Sequence, residues 1–497
     1  MTPSCLQGRP SRAARPAPGL LLRVAAVAAL AAAGCTAPQP PPSPHAGPVV
    51  LITLAGLRAD AVGALTGRRA RDLTPHLDAL MAEADWAGAA VAPSSFDLLS
   101  LASYATGLGP WAHGTLDSGG ARLDRSLRTL AEALGERGYV SFAYTTGPWF
   151  RGSRGWSQGF VDVRPLRGGR RAAGHLASLG SDRHFVWIHL SDPVPPYATR
   201  VRFLPRLELR PGLAGALPGE IGARELARLR DPGRAAAPVR REVATALYGL
   251  QVAHADERLG AMLAALRESG RWDETLVVVT SAHGEPGPAH HPHRLGRPLV
   301  EVPLVVKLPR EMRGRDRWRV AVPRGERPAA HRLWATLVEA VGGEVPPGVE
   351  PSLFHAGRGG ALSEVYLGNG SNEQSLVVGD LQLLRVSRFA AAEAGYHEAL
   401  AASYGAAPAG PTDPATVLFG RLTAAFRSAP PFSGRGEAET TLLAWRGDGA
   451  VERVDDPARA RALEAELARR WRAFAACERS PAAEAAVRRG ASGGEGG

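Results

Sequence analysis

Cysteine is nearly absent from this chain: 497 residues contain three, Cys5, Cys35 and Cys477. That excludes a disulfide-stapled scaffold, and nothing supports thiol redox chemistry. Lysine is scarcer still, with Lys307 alone, so the formal charge of +11 is almost wholly arginine. These arginines are dispersed through a chain rich in glycine (58) and proline (41), and no basic run interleaves with aromatics. Such a pattern does not suit a groove that tracks nucleic-acid phosphates, and no nucleic-acid partner is expected. Long apolar runs are missing as well. The best, Leu20 to Ala33, is interrupted by Arg23 and falls short of the roughly 20 residues that span a bilayer, which excludes a polytopic membrane protein. With 45% hydrophobic and 22% charged residues, the chain is not disordered as a whole. Its length suggests two or three structural units, at roughly 100–200 residues each.

Residues 1–35 read as an export signal: Arg9, Arg12 and Arg15 precede the apolar stretch, which ends at Gly34-Cys35. Leu30 to Cys35 resembles a bacterial lipobox, with Ala32 where leucine is usual, and the resemblance implies lipidation of Cys35. The alternative is an ordinary cleaved signal or an uncleaved anchor. Residues 36–48, with Pro38, Pro40, Pro41, Pro42 and Pro44, read as a semi-rigid tether. The expected protein is exported and held at the membrane of the cell envelope through a lipid.

From Val49 onward, strands and helices alternate. Val49 to Leu54 is a β-branched run without polar alternation, as in a strand covered on both faces. Thr74-Pro75 opens a helix. Ser126 to Gly138 reads as another, followed by strands at Tyr139–Tyr144 and Phe185–Leu190. A long helix is expected over Arg241–Leu266, then strands at Thr275–Thr280 and Val302–Leu308. The alternation predicts an α/β domain over 49–345, a mostly parallel sheet flanked by helices, with chemistry beyond the carboxyl ends of its strands. Over 346–486 the texture changes to a smaller α+β subdomain. Strands are expected at Glu364–Leu367, Ser375–Val378, Leu381–Val386 and Thr440–Trp445, around two helices, with a final helix over Pro457–Ala476. Residues 487–497 read as a disordered tail.

Several segments, in order, resemble the sulfatase family of the alkaline phosphatase superfamily. Leu51 to Asp60 (L-I-T-L-A-G-L-R-A-D) is similar to the family's first strand and loop, L-I-T-[IL]-D-T-L-R-A-D. Thr74 to Leu80 matches T-P-N-L-D-A-L. Ala92 to Phe96, with Thr106-Gly107 and His113-Gly114, follows the nucleophile loop and helix. His189 to Pro193 and Asp256 to Gly260 continue the match. Asp273 to Glu285 (D-E-T-L-V-V-V-T-S-A-H-G-E) is close to D-D-T-L-V-V-V-T-S-D-H-G-E. The resemblance covers about residues 48–310. It implies a metal-dependent hydrolase of sulfuric or phosphoric esters, in which a divalent cation neutralises the transferring group and an oxygen nucleophile attacks in line.

The departures fall on the chemistry. The resemblance puts metal-binding aspartates where this chain has Ala55 and Ala282, and the nucleophile where it has Asp97; Val194 replaces the histidine of D-P-H. Of the implied metal set, Asp97 and His283 remain. A hard cation takes several oxygen ligands, and two methyl groups replace two carboxylates, so no cofactor is expected unless a rebuilt site holds a metal such as calcium. The candidate residues are Asp97, His189 and His283 for catalysis, and Arg58 and His113 for binding a sulfated or phosphorylated glycan or ester. Each has a plainer reading. Asp97 caps a helix over Leu98–Thr106, His283 bonds its own loop, and Arg58 pairs with Asp60. His113, His189 and Glu285 line the old cleft, able to bind an anion or a sugar hydroxyl, and Ser94, Ser95 and Ser100 are cap or loop residues or a displaced nucleophile. The histidines at 290, 291 and 293 are a soft-metal cluster or a solvated loop. The expectation is a sulfatase-like envelope protein whose site has decayed. The rivals are an active hydrolase with a rebuilt site and a structural or binding lipoprotein.

Overall fold

Strand β1 (Val49–Leu54) is buried at every position and sits at the centre of a seven-stranded sheet. The other strands of this sheet in the computed structural model are β2 (Trp86–Val91), β3 (Val140–Thr145), β4 (Phe160–Pro165), β5 (His184–Leu190), β8 (Leu276–Ser281) and β9 (Glu301–Lys307), in the order β2-β9-β8-β1-β5-β3-β4. The structure describes residues 45–67, 73–113, 115, 123–146, 155–222, 237–285, 295–323, 325–357, 361–367, 371–378, 380–388, 438–445 and 451–478. Strands β8, β1, β5, β3 and β4 run parallel, while β9 is antiparallel to β8 and β2.

Alternate residues of these strands face opposite layers, the period that a pleated strand imposes. Val49, Leu51, Phe185, Trp187, Leu276 and Val278 pack with the helices Asp97–Thr106, Leu130–Gly135 and Leu333–Ala340. Val50, Ile52, Val186, Ile188, Val277 and Val279 pack with Pro75–Glu83, Arg170–Ala177 and the 32-residue helix Ala237–Glu268. Asp256 locks two of these together: its carboxylate accepts the backbone N–H groups of His76 (3.0 Å) and Leu77 (2.9 Å) at a helix start. Gly260 is required one turn on, because a Cβ there would lie 2.4 Å from the His76 ring.

The helix expected over Ser126–Gly138 is shorter, Leu130–Gly135. Thr129 and Glu132 form a capping box that fixes its start, and the Asp124 carboxylate holds Ser126 in a turn before it. Strands β2 and β4 had no expectation. The small residues of β2 (WAGAAV) lack a β-branched signal, and β4 (FVDVRP) is a half-exposed edge.

A two-stranded pair, β6 (Tyr197–Ala198) and β7 (Glu220–Ile221), lies outside the main sheet. The C-terminal sheet is antiparallel: β10 (Ala361–Leu367), β11 (Ser371–Val378), β12 (Leu381–Arg388), β13 (Ala438–Trp445) and β14 (Val451–Arg453). Leu376, Leu383 and Leu442 meet Leu467 of the final helix Pro457–Glu478, while Val377 and Leu384 pack with Val91 and Val300 of the main domain. The two helices expected between β12 and β13, the tail, the signal segment with Cys35, nearly all of the tether and the histidines at 290, 291 and 293 lie outside the described residues. Among the described residues, no helix is long and apolar enough to cross a membrane.

Candidate functional site

Three adjacent parallel strands deliver the site at their carboxyl ends: β1 leads into Ala55, β8 into Ala282-His283, and β5 carries His189. The backbone seams are tight. Ala282 N–H donates to Leu54 O (2.7 Å), Gly56 N–H to His283 O (3.0 Å), and Ser281 Oγ to His283 O (2.7 Å). Tyr104, from the helix Asp97–Thr106, donates to Ser281 O at 2.8 Å and so fixes that helix against β8.

This brings Asp97 to His283. Oδ1 of Asp97 lies 3.1 Å from Nε2 of His283, and the side chains keep 16% and 10% exposure. The two atoms are in contact without the alignment of a good hydrogen bond. On the other side of the ring, Nδ1 lies 2.5 Å from Gly284 O. Both ring nitrogens therefore face oxygen atoms, an arrangement that favours the imidazolium, whose charge sits against the Asp97 carboxylate. Burial opposes that charge, but Asp97, Gly284 O and Glu285 outweigh it and push His283 up to about 9. Burial likewise works to raise the Asp97 carboxyl, and the His283 charge overrides it, holding the group below its ordinary value. The helix starts at Asp97 itself, with Phe96 at the cap position and no side-chain cap bond, so Asp97 does not serve as the cap.

His189 sits beside the pair and stays neutral. Trp187 Nε1, which can only donate, reaches Thr53 Oγ1 at 3.0 Å; the Thr53 hydroxyl proton is then directed to His189 Nδ1, also 3.0 Å away. That assignment leaves the ring proton on Nε2, which is buried and has no hydrogen-bond partner. Burial, aided by the His283 charge, keeps His189 below its ordinary value despite the nearby Asp97. Thr53 escaped the sequence reading, although one hydroxyl inside an otherwise apolar buried strand was the available signal.

The other candidates are placed elsewhere. His113 accepts Thr115 N–H at Nδ1 (3.1 Å), while Nε2 lies against Ser103 Oγ (3.0 Å) and Leu99 O (3.2 Å) in the interior. Arg58 pairs with Asp60, its backbone N–H meets Tyr248 Oη at 3.0 Å, and it borders a cavity of about 600 Å³ with Leu73, Leu207, Arg210 and Tyr248. Glu285 accepts from Tyr197 Oη at 3.2 Å. Ser100 Oγ donates to Ser94 O (3.1 Å), whereas the hydroxyls of Ser94 and Ser95 are buried without a partner.

These residues do not fit the divalent cation that the resemblance implies. Ala55 and Ala282 are fully buried methyl groups, and Ala282 lies in the same apolar cluster as Leu98, Leu99 and Leu101. Of the implied ligands, the Asp97 carboxylate and the His283 ring remain, 3.1 Å apart and turned toward each other. A hard cation takes six to eight oxygen ligands in the case of calcium, and this arrangement supplies one carboxylate.

The sheet order, the flanking helices and the separate antiparallel sheet match the fold of sulfatases and phosphonate monoester hydrolases. A phosphonate monoester hydrolase from Silicibacter pomeroyi superposes with a TM-score of 0.52 at 15% identity, covering 85% of this chain and 94% of that one. The corresponding enzyme of Agrobacterium radiobacter gives 0.51 at 18% identity, covering 82% and 100%. A Bacteroides thetaiotaomicron protein assigned as a sulfatase gives 0.52 at 14% identity, covering 69% and 83%. In sequence, the chain is 33% identical over 106 residues to the multifunctional alkaline phosphatase superfamily protein PehA of Trinickia caryophylli, a stretch that spans 20% of this chain and 19% of that protein. No family model matches.

Proposed function

We propose that this chain is a non-catalytic, sulfatase-like protein of the cell envelope, descended from metal-dependent ester hydrolases and exported with a lipid on Cys35. One observation carries the reading: an Asp97–His283 ion pair, 3.1 Å apart, stands where a cation site would need carboxylates, beside Ala55 and Ala282. In-line attack on a sulfate or phosphate ester builds negative charge on the transferring oxygens, and a preorganised positive centre must offset it. His283 is positive, but its charge is already matched by Asp97. His189 is neutral. Asp97 stands where the resemblance implies the oxygen nucleophile, with its carboxylate held against His283. The remaining role is binding or scaffolding, with a sulfated or phosphorylated glycan or ester as the ligand class and the membrane as a partner through the lipid.

Turnover is the test. The chain from residue 36 onward, assayed with 4-nitrophenyl sulfate and with a phenyl phosphonate monoester in the presence of calcium, magnesium, manganese or zinc, is expected to release no more phenol than a Ser94→Ala, Ser95→Ala, Asp97→Ala triple variant. The buried, unpartnered hydroxyls of Ser94 and Ser95 favour one rival, an active hydrolase with a displaced nucleophile. Turnover that disappears in the triple variant establishes that rival. Fatty-acid incorporation into the full chain, abolished by Cys35→Ala, tests the anchor.

A further inference from the structure

Positive charge gathers between the segment that leaves β6 and the long helix Ala237–Glu268. Arg200, Arg202 and Arg206 lie on the 3-10 turn Val201–Arg206 and its cap, while His254 and Arg258 stand one turn apart on the facing helix. Phe203, 2% exposed, is the pivot. The guanidinium carbons of Arg202 and Arg206 lie 4.7 and 5.1 Å from its ring centroid, and the His254 ring lies 6.2 Å away. Arg200 is anchored through Nε to Gln251 Oε1 at 3.1 Å.

Among the described residues, the carboxylates bonded to these side chains are Asp192, on Arg258, and Glu257, on Arg202. Four guanidinium groups therefore meet two acids. Two polar atoms are left buried with no partner: Arg206 Nη1 and His254 Nδ1. A buried, unmatched guanidinium nitrogen is costly unless something fills its hydrogen-bonding capacity. The imbalance is also felt at His254. Burial first, then Arg200, Arg258 and Arg202, hold it below the usual histidine range against the pull of Asp192. The cluster lies beyond the carboxyl end of β5, since Asp192 follows Leu190 by two residues, which is where ligands enter open α/β sheets.

We infer that Arg200, Arg206 and His254, framed by Arg202 and Arg258, form a binding site for a tetrahedral oxyanion, the sulfate or phosphate group of a small ester or the free ion. Guanidinium forks match two oxygens of such a group at once, and Arg206 Nη1 supplies a donor that no described carboxylate satisfies. The site shares no residue with the Asp97–His283 pair, so it stands whether or not that pair supports turnover.

Calorimetric titration of the chain from residue 36 onward tests it, with glucosamine 6-sulfate, unsulfated glucosamine, inorganic sulfate and inorganic phosphate as probes. The sulfated sugar is expected to bind saturably and glucosamine not at all. Arg206→Gln weakens binding by about tenfold to a hundredfold, the effect of losing one charge-assisted contact. Arg206→Lys, which keeps charge but not the fork, falls between. Equal affinity for the inorganic ions assigns the site to the free ion. Absence of saturable binding by any probe overturns the inference, as does binding that survives Arg206→Gln in a variant with unchanged melting temperature.

Discussion

His283 and Asp97 form a self-neutralising pair at the carboxyl end of β8, with Oδ1 3.1 Å from Nε2 and the buried methyl of Ala282 next in chain to the histidine. A cation site works by concentrating negative charge that the metal then balances. Here, the balance is reached inside the protein, by one proton on His283.

Restoring one missing carboxylate should therefore harm the fold. Ala282→Asp puts a charge into the cluster that contains Leu98, Leu99 and Leu101, with the neighbouring His283 already engaged by Asp97. A loss of about 3–5 kcal/mol, the cost of a buried unmatched charge, is expected in urea unfolding without added metal. A variant as stable as the parent would show that water or a counterion reaches position 282.

The pair also sets a pH dependence with a defined sign. His283 is raised from 6.5 to about 9 in the folded chain, so its stabilising contribution is complete below about pH 6.5 and is lost as pH rises through about 9. Asp97 is lowered from 3.8, so its contribution is present above that value and fades as pH falls through the lower folded value. Between these limits the pair gives a plateau. His283→Gln should remove the alkaline limb of the stability profile relative to the parent, measured by chemical unfolding from pH 5 to pH 10. An alkaline limb of the same size in both proteins would show that another group produces it.

Much of the fold was readable because the sheet is buried on both faces: β1, β5 and β8 announce themselves as β-branched runs, and Thr74-Pro75 marks a helix start. The missing metal carboxylates were equally readable, since Ala55 and Ala282 interrupt matched motifs. The implied metal set also put Asp97 and His283 in one site, but their direct pairing with each other was not legible. It links residues 186 positions apart through the crossing of a helix over a strand end, a contact that no local pattern encodes. Nor was the internal role of His113, whose ring nitrogens are taken by Thr115 N–H, Ser103 and Leu99. A motif fixes a residue's place in the chain, and packing decides which way its ring turns.

Thr53 is expected to hold His189 in place. Thr53→Val keeps the side-chain shape but leaves Trp187 Nε1 and His189 Nδ1 without their shared hydroxyl in a fully buried position. A destabilisation of about 1–3 kcal/mol follows, together with a changed His189 imidazole resonance by NMR. An unchanged resonance would contradict the assigned hydrogen-bond chain.

Metal stoichiometry after equilibrium dialysis tests the central claim most directly. Dialysed against calcium, magnesium, manganese or zinc and then analysed for bound metal, the chain from residue 36 onward is predicted to retain no ion that depends on Asp97. One ion retained per chain, and lost in Asp97→Ala, would contradict the account.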